Sequence, residues 1–404
     1  MIKVAIMGFG TIGSGVAEVL DINKKSIAAR VGDEVELKYV LDLRDFEGDP
    51  IQEKIVHDYK VIAEDPEVAI VVETMGGVEP AYTFVKTMLE AGKHVTTSNK
   101  ALVAAKGAEL IALAKEKNVN FMFEASVGGG IPIIRPLNSC LTADEIEEIT
   151  GIVNGTTNYM MTEMTEKGAD FNEVLKDAQA KGYAEKDPTA DVEGYDACRK
   201  IAILSSLAYG HHVDFEEIYT EGITKITSAD IRYAKAFGAT IKLLASSKRI
   251  GDKYYAMVCP VMINGDSPLF SVNDVFNAIV IHGNMLGDAM FYGSGAGKLP
   301  TASAVVGDMI SAVRFGDEPE KIGWSSEKLE VHPAAELSRK YFARFEGSER
   351  AKKEAVAAAF GDVKFVTPEG TDEFAVLTGE MTGEEFDAAA AKVGGLRQKI
   401  AARL

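Results

Sequence analysis

The densest grouping of residues able to do chemistry is the stretch Lys181-Gly182-Tyr183-Ala184-Glu185-Lys186-Asp187-Pro188-Thr189-Ala190-Asp191-Val192-Glu193-Gly194-Tyr195-Asp196-Ala197-Cys198-Arg199-Lys200. A helix is expected over 192–209. Asp191 can cap it, and Asp196 and Lys200 then stand four apart on one face, one turn above the other. The plain reading of that spacing is a surface ion pair worth ~0.3–0.5 kcal/mol. Against it, the helix runs straight into Ile201-Ala202-Ile203-Leu204, apolar at every position, which predicts burial on several sides. A buried lysine beside carboxylates can donate or accept a proton, because its surroundings move its pKa readily.

A second grouping could hold a nucleotide. Gly8-Phe9-Gly10-Thr11-Ile12-Gly13 follows a strand-like run and opens a helical pattern. Gly8 allows a tight turn, Gly10 lets backbone approach a pyrophosphate, and Gly13 allows close helix-to-strand packing. The next strand ends in Leu41-Asp42-Leu43-Arg44, where Asp42 would accept from a ribose hydroxyl and Arg44 would pair with a 2′-phosphate, so NAD and NADP both stay open. Glu73-Thr74-Met75-Gly76-Gly77 and Thr97-Ser98-Asn99-Lys100 sit at the carboxyl ends of later strands, where open parallel sheets bind ligands. The macrodipole disfavours a lysine in a first helical turn, so Lys100 hints at an anionic or reacting partner, against the alternative of an indifferent surface lysine. Gly293-Ser294-Gly295-Ala296-Gly297-Lys298-Leu299-Pro300 is either another glycine turn before a helix or a flexible connector.

These groups need elements to position them. Strands are expected over 3–7, 36–41, 69–74, 94–97 and 120–124, with helices beginning after Gly13, at Pro80 and at Lys100; that alternation is the signature of a doubly wound parallel sheet. From about residue 137 the order becomes α+β. A strand is expected at 148–153, helices at 156–166, 171–181 and 192–209, and strands at 242–247 and 254–262. A polar connector is read at 315–330. After it come a strand at 340–345, a helix at 348–360, strands at 363–366 and 373–378, a helix from Gly383 and a short final strand, a ferredoxin-like module. The fold class is therefore α/β, with three domains at 1–135 (joined by a return helix near 300–314), 136–314 and 335–404.

Composition narrows the function. With 404 residues, 43 Lys plus Arg and 61 Asp plus Glu, the net charge is −18, so nucleic-acid backbones and anionic membranes are repelled. Between residues 144 and 217 alone there are 17 acidic and 6 basic residues, in the stretch that holds Glu185, Asp191 and Asp196. The cysteines, Cys140, Cys198 and Cys259, have no C-x-x-C spacing, and the histidines lack ligand spacing such as H-E-x-x-H. Met1 runs directly into Ile2 to Met7 with no basic n-region, so no export signal is expected and the location is read as cytoplasmic.

The chain resembles homoserine dehydrogenases of the monofunctional type with a C-terminal ACT domain, essentially from end to end. The resemblance is carried by the Gly8 to Gly13 turn, Thr97-Ser98-Asn99-Lys100, Glu124-Ala125-Ser126-Val127-Gly128-Gly129-Gly130-Ile131-Pro132, Gly151-Ile152-Val153-Asn154-Gly155-Thr156-Thr157-Asn158-Tyr159 and above all the Gly182 to Lys200 block. It implies NAD(P)-dependent interconversion of L-homoserine and L-aspartate 4-semialdehyde, on the route to threonine and methionine. It implies Lys200 as the general acid and base, Glu185 and Asp196 as substrate-holding groups, Asp191 as support, and Lys100 near cofactor and substrate. Thr74, Ser98, Gly182 and Gly297 would contact cofactor beside Gly8, Phe9, Gly10, Thr11, Ile12, Gly13, Asp42 and Arg44. A monovalent cation, Na⁺ by its oxygen-only ligands, would use the Glu124 side chain or backbone with the carbonyls of Val127, Gly129 and Ile131. The resemblance further implies a homodimer, with a tetramer through paired ACT sheets as the larger assembly. Phe345-Glu346-Gly347-Ser348-Glu349 is close to the effector-loop pattern of an acidic residue and glycine after the first strand without being a clean match, so threonine feedback stays open.

Overall fold

The computed structural model describes residues 1–316, 318–367 and 371–404. Asp317, in the expected connector, and residues 368–370, in the expected C-terminal module, lie outside the described residues. The chain divides into two compact units, one of Met1–Glu145, Ala202–Phe215 and Gly293–Leu329, the other of Ile146–Ile201, Glu216–Tyr292 and Glu330–Leu404. Among the described residues no helix is long and apolar enough to cross a membrane.

The first unit opens with β1 (Ile2–Met7), α1 (Thr11–Ile22), α2 (Lys24–Val31), β2 (Val35–Leu41), β3 (Ile55–Val56), α3 (Tyr59–Glu64), β4 (Val68–Glu73), α4 (Ala81–Glu90), β5 (His94–Thr97), α5 (Lys100–Lys117) and β6 (Phe121–Met122). The strands are parallel in the order β3-β2-β1-β4-β5-β6. In that order the sheet reverses between β1 and β4, which places a ligand crevice beyond their carboxyl ends. The strands read as near-continuous Val and Ile because both faces are covered. Val4, Ile6, Val40, Ile70 and Val72 are buried in one core with Val16 and Leu20 of α1. Strand β6 is shorter than the expected 120–124, because Glu124 already begins a 3₁₀ turn. The elements not foreseen are short or weakly patterned: α2 buries only Ile27, and β3 has two residues.

After β6 the chain forms β7 (Ile146–Ile152), α6 (Gly155–Lys167), α7 (Phe171–Ala180), α8 (Thr189–Val192), α9 (Tyr195–Tyr209), β8 (Tyr219–Thr220), α10 (Ser228–Ala236), β9 (Ala239–Ile250), β10 (Lys253–Asn264), β11 (Phe276–Gly283), β12 (Gly287–Ser294) and α11 (Lys298–Phe315). It finishes with β13 (Lys340–Glu346), α12 (Glu349–Phe360), β14 (Lys364–Val366), β15 (Glu373–Leu377), α13 (Gly383–Val393) and β16 (Leu396–Arg403). The return helix near 300–314 is α11, whose Val305 and Met309 join the core of the first unit.

The expected helix over 192–209 begins at Tyr195, as α9, and a separate short helix, α8, precedes it. Gly194, at φ +84°, separates α8 from α9, and a Cβ there would meet Thr220 and Val258 at 3.2 Å. Asp191 consequently lies inside α8 and does not cap α9, which corrects that expectation. The β11–β12 pair was not foreseen either; β12 merely alternates half-buried and exposed residues.

Strands β16-β13-β15-β14 with α12 and α13 make the βαββαβ order of a ferredoxin-like module, around a core that includes Phe345, Phe374 and Phe386. The last strand is not short but eight residues long, and its far end pairs in parallel with β10, Val261 opposite Ala401. That pairing joins the module's sheet to the β12-β11-β7-β9-β10 sheet.

Candidate functional site

In the second unit, three segments bring polar groups together. Asn154 follows β7 and caps α6, its Oδ1 accepting from the Thr157 amide at 2.9 Å. Its Nδ2 donates to Asp191 Oδ1 at 2.7 Å and to Asp196 Oδ2 at 2.9 Å. One amide thus uses both of its hydrogens to hold two carboxylates from two different helices. Asp196 Oδ2 also lies 2.9 Å from Lys200 Nζ, and Lys200 donates to the Val153 carbonyl at 2.7 Å.

The side chains of Lys200 and Asp196 are 9% and 4% exposed, so the i,i+4 pair is interior rather than a solvated surface pair. A charged pair in such a place persists only where further hydrogen bonds support it, and Asn154 and Val153 supply them. Asn154 was not singled out by sequence. Its signal would have been an N-cap residue directly after a strand, which marks a helix start and says nothing about chemistry.

Glu185 lies in an exposed segment, where Gln179 Nε2 bonds to its main-chain carbonyl at 3.0 Å. Gly182, nearby, is exposed at φ +75°. A contrast sharpens the role of Lys200: Lys242, also buried, donates to Asn158 Oδ1 (3.1 Å), Val272 O (2.6 Å) and Asn273 Oδ1 (2.9 Å), all neutral acceptors, and burial pushes its pKa down to about 8. Lys242 ties a loop to the sheet.

In the first unit, the glycine turn is constrained by close approaches. Gly8 stands at φ +94°, and a Cβ on Gly13 would lie 2.0 Å from the Gly8 carbonyl. Thr74 Oγ1 donates to that same carbonyl at 2.8 Å. Above Gly10 nothing comes within 4 Å, so the space a pyrophosphate needs is open. Phe9 supplies an amide to Asp42 Oδ2 at 2.8 Å; Thr11 and Ile12 begin α1. The Arg44 guanidinium bonds Asp42 at 2.9 and 3.0 Å and the Phe9 carbonyl at 3.0 Å. Those bonds from Arg44 and from the Phe9 amide outweigh burial and hold the Asp42 carboxyl well below the usual carboxylate range.

At the ends of β4 and β5, buried Glu73 accepts from Thr97 Oγ1 at 2.6 Å and from the Met75 amide at 2.7 Å. Asn99 caps α5 through the Leu102 amide at 3.1 Å and ties Gly77 through its carbonyl at 2.6 Å. This scaffold presents half-buried Ser98 and Lys100, with Lys100 the first residue of α5. Gly297 caps α11 at φ +119°.

The glycine run at 128–130 has a packing reason. A Cβ on Gly129 would come within 2.3 Å of the Gly295 carbonyl, and one on Gly130 within 2.8 Å of Pro300. The Glu124 carboxylate is committed elsewhere: Oε1 accepts from the Ile133 and Ile134 amides (2.6 and 2.8 Å), Oε2 from the amide and Nε of Arg135 (2.9 and 3.0 Å). Four donors fill the carboxylate's acceptor sites, so the Glu124 side chain anchors the 133–135 backbone, and of the two expected modes of cation ligation by Glu124 its backbone carbonyl is the one left open. The carbonyls of Val127, Gly129 and Ile131 accept no backbone hydrogen bond among the described residues, and so fit a hard monovalent ion.

Comparison with known proteins gives two family matches: the NAD-binding domain of homoserine dehydrogenase over residues 8–124 and homoserine dehydrogenase over 132–310. The chain is similar to a homoserine dehydrogenase of Pseudomonas aeruginosa, 43% identical over 338 residues, which cover 82% of this chain and 78% of that one. It is also similar to one of Mycobacterium tuberculosis, 45% identical over 320 residues, covering 78% and 72%. Among solved structures, a homoserine dehydrogenase from Thiobacillus denitrificans superposes with a TM-score of 0.91 at 34% identity, covering 100% and 98% of the two chains. A hyperthermophilic archaeal homoserine dehydrogenase in complex with NADPH matches with a TM-score of 0.66 at 30% identity, covering 78% and 98%.

Proposed function

The chain belongs to the homoserine dehydrogenase family, oxidoreductases that act on a CH–OH group and carry an NAD-binding domain, and from that premise we propose which residues perform each task. Lys200 holds the proton exchanged with the substrate oxygen: it protonates the carbonyl of L-aspartate 4-semialdehyde and, in reverse, takes the hydroxyl proton of L-homoserine. Asp196 and Glu185 bind the substrate ammonium, the kind of cation that carboxylates hold by charge-assisted hydrogen bonds. Asp191 supports Asp196 through Asn154. The nicotinamide cofactor supplies or removes hydride when bound. The turn from Gly8 to Gly13 would receive its pyrophosphate, Asp42 or Arg44 its adenosine ribose, NAD and NADP both being compatible, and Thr74, Ser98, Lys100, Gly182 and Gly297 would complete its contacts. The carbonyls of Val127, Gly129 and Ile131, with the backbone of Glu124, would hold Na⁺.

The proposed division of labour is 1–135 for cofactor, 136–314 for catalysis and dimerisation and 335–404 as an ACT-type regulatory module. The working enzyme would be a cytoplasmic homodimer or larger, serving threonine and methionine synthesis. The observation that carries the reading is the interior Lys200 ammonium held between Asp196 at 2.9 Å and the Val153 carbonyl at 2.7 Å. The test is homoserine oxidation followed by the absorbance of reduced nicotinamide, with NAD⁺ and NADP⁺ in turn, on the wild type and on Asp196→Asn and Glu185→Gln. Each variant should raise the homoserine KM by about tenfold or more, the scale of a lost charge-assisted bond. Unchanged KM values would remove both residues from substrate binding.

A further inference from the structure

The stretch between α7 and α8 is tied to its surroundings at both ends. At its start the amides of Tyr183 and Ala184 both donate to the Ala178 carbonyl, at 2.8 and 3.2 Å, and the Ala184 side chain is buried. Thr156 Oγ1 donates to the Tyr183 carbonyl at 2.5 Å. At its end Asp187 Oδ1 accepts from the amide and hydroxyl of Thr189, at 3.1 and 2.6 Å, which closes the turn into α8. Glu185 and Lys186 lie between these anchors, exposed, and among the described residues no main-chain hydrogen bond reaches either of them.

What meets their backbone is Gln179, in the last turn of α7. Its Nε2 donates to the Glu185 carbonyl at 3.0 Å and to the Lys186 carbonyl at 3.4 Å. A primary amide carries two hydrogens, so one side chain can serve both carbonyls. The helix beneath it is itself fixed. Val174 and Ala178 of α7 are buried, and at its C-cap Lys181 Nζ donates to the Tyr159 hydroxyl of α6 at 2.6 Å and pairs with Asp177 at 2.9 Å. The Glu185 carboxylate has no hydrogen-bond or ion-pair partner among the described residues, so the main chain that Gln179 holds fixes the point from which it reaches.

We propose that Gln179 is a positioning residue for substrate binding: through the carbonyls of Glu185 and Lys186 it sets the place from which the Glu185 carboxylate meets the substrate ammonium. This rests on the assignment of Glu185 to that ammonium made above. Gln179 itself touches neither substrate nor coenzyme in this account.

The test is a double-mutant cycle of Gln179→Met and Glu185→Gln in the full-length chain, read by initial rates of homoserine oxidation at saturating coenzyme. Methionine is close to glutamine in length and helix propensity and donates no hydrogen bond. Gln179→Met alone should raise the homoserine KM by about three- to tenfold, the scale of one net hydrogen bond, with kcat and the unfolding midpoint nearly unchanged. Placed on Glu185→Gln, it should change KM by less than about twofold, because the group it positions is already disabled. A residue with only a structural role would instead act equally in both backgrounds. An unchanged KM in Gln179→Met, a loss that falls on kcat, or the same rise in KM on Glu185→Gln as on the wild type would each overturn the proposal. Failure of the Glu185 assignment is read separately, from Glu185→Gln alone: an unchanged KM there removes the group to be positioned.

Discussion

Replacing Asn154 by serine isolates the one side chain that joins the two aspartates. The amide gives one hydrogen to Asp191 at 2.7 Å and the other to Asp196 at 2.9 Å, while its oxygen caps α6. Serine keeps an oxygen suited to the cap, so helix stability should change by only a few tenths of a kcal/mol. It has a single hydrogen and a shorter reach, so at least one bond to a carboxylate is lost. A hydrogen bond to a charged group contributes about 1.5–3 kcal/mol, which corresponds to about a 10- to 100-fold change if the orientation of Asp196 and Lys200 matters in the transition state.

Initial rates of homoserine oxidation across pH should therefore show kcat/KM down by about 10- to 100-fold, with the unfolding midpoint nearly unchanged and coenzyme affinity retained. Asn154→Asp should be worse and differently shaped. It faces a third acid toward two carboxylates at under 3 Å, each such pair opposed by roughly 6 kcal/mol at an effective dielectric of about 20. The cluster would then take up a proton, and the acidic limb of the rate profile would move to higher pH. A serine variant with kcat/KM within about twofold of wild type, where about tenfold is expected from the bond energy, would refute the reasoning.

Sequence reading reached the Lys200 and Asp196 pair because i,i+4 spacing and an adjacent apolar run are local signals. Asn154 escaped it, since its partners lie 37 and 42 residues away and nothing local states that separation. The same holds for Glu124. Only the resemblance made it a cation ligand, through its side chain or backbone, whereas its carboxylate accepts from the amides of Ile133, Ile134 and Arg135, nine to eleven residues on. The parallel sheet was legible because its strands are short apolar runs between helices. The break at Gly194 was not: its positive φ and the close approach of Thr220 and Val258 to the space a Cβ would fill are tertiary features that local pattern does not state. The joining of β16 to β10 depends on a long-range pairing that pattern alone does not specify.

Further outcomes follow from the same geometry. Gly10→Ala, with open space around the new methyl, should leave the unfolding midpoint unchanged and weaken coenzyme by about tenfold or more; Gly13→Ala, whose Cβ would meet the Gly8 carbonyl at 2.0 Å, should lower both. Equal stability of the two, read by thermal denaturation, would contradict the account of the turn. Arg44→Ala should cut kcat/KM for NADP⁺ by about tenfold while altering NAD⁺ little, by loss of a charge-assisted phosphate contact; equal effects would remove Arg44 from coenzyme choice. Burial opposes the charge of Glu148, but Arg403 at 2.6 Å, Thr150 at 2.8 Å and Lys248 at 3.2 Å prevail and hold its pKa at about 2. A depressed carboxyl stabilises the fold above its unfolded pKa and loses that contribution as pH falls through the folded one. Glu148→Gln should thus cost about 3 kcal/mol near neutrality, and the difference from wild type in urea titrations should vanish as pH falls from about 4.5 to about 2. A pH-independent difference would rule out the charge as its cause.

The most direct test of the account is single-turnover reduction of aspartate semialdehyde by Lys200→Ala with reduced coenzyme bound beforehand. The chemical step should slow by about 10²- to 10⁴-fold, the usual scale for deleting a general acid, while coenzyme affinity stays at the wild-type value. A chemical step as fast as that of the wild type would show that the proton comes from elsewhere.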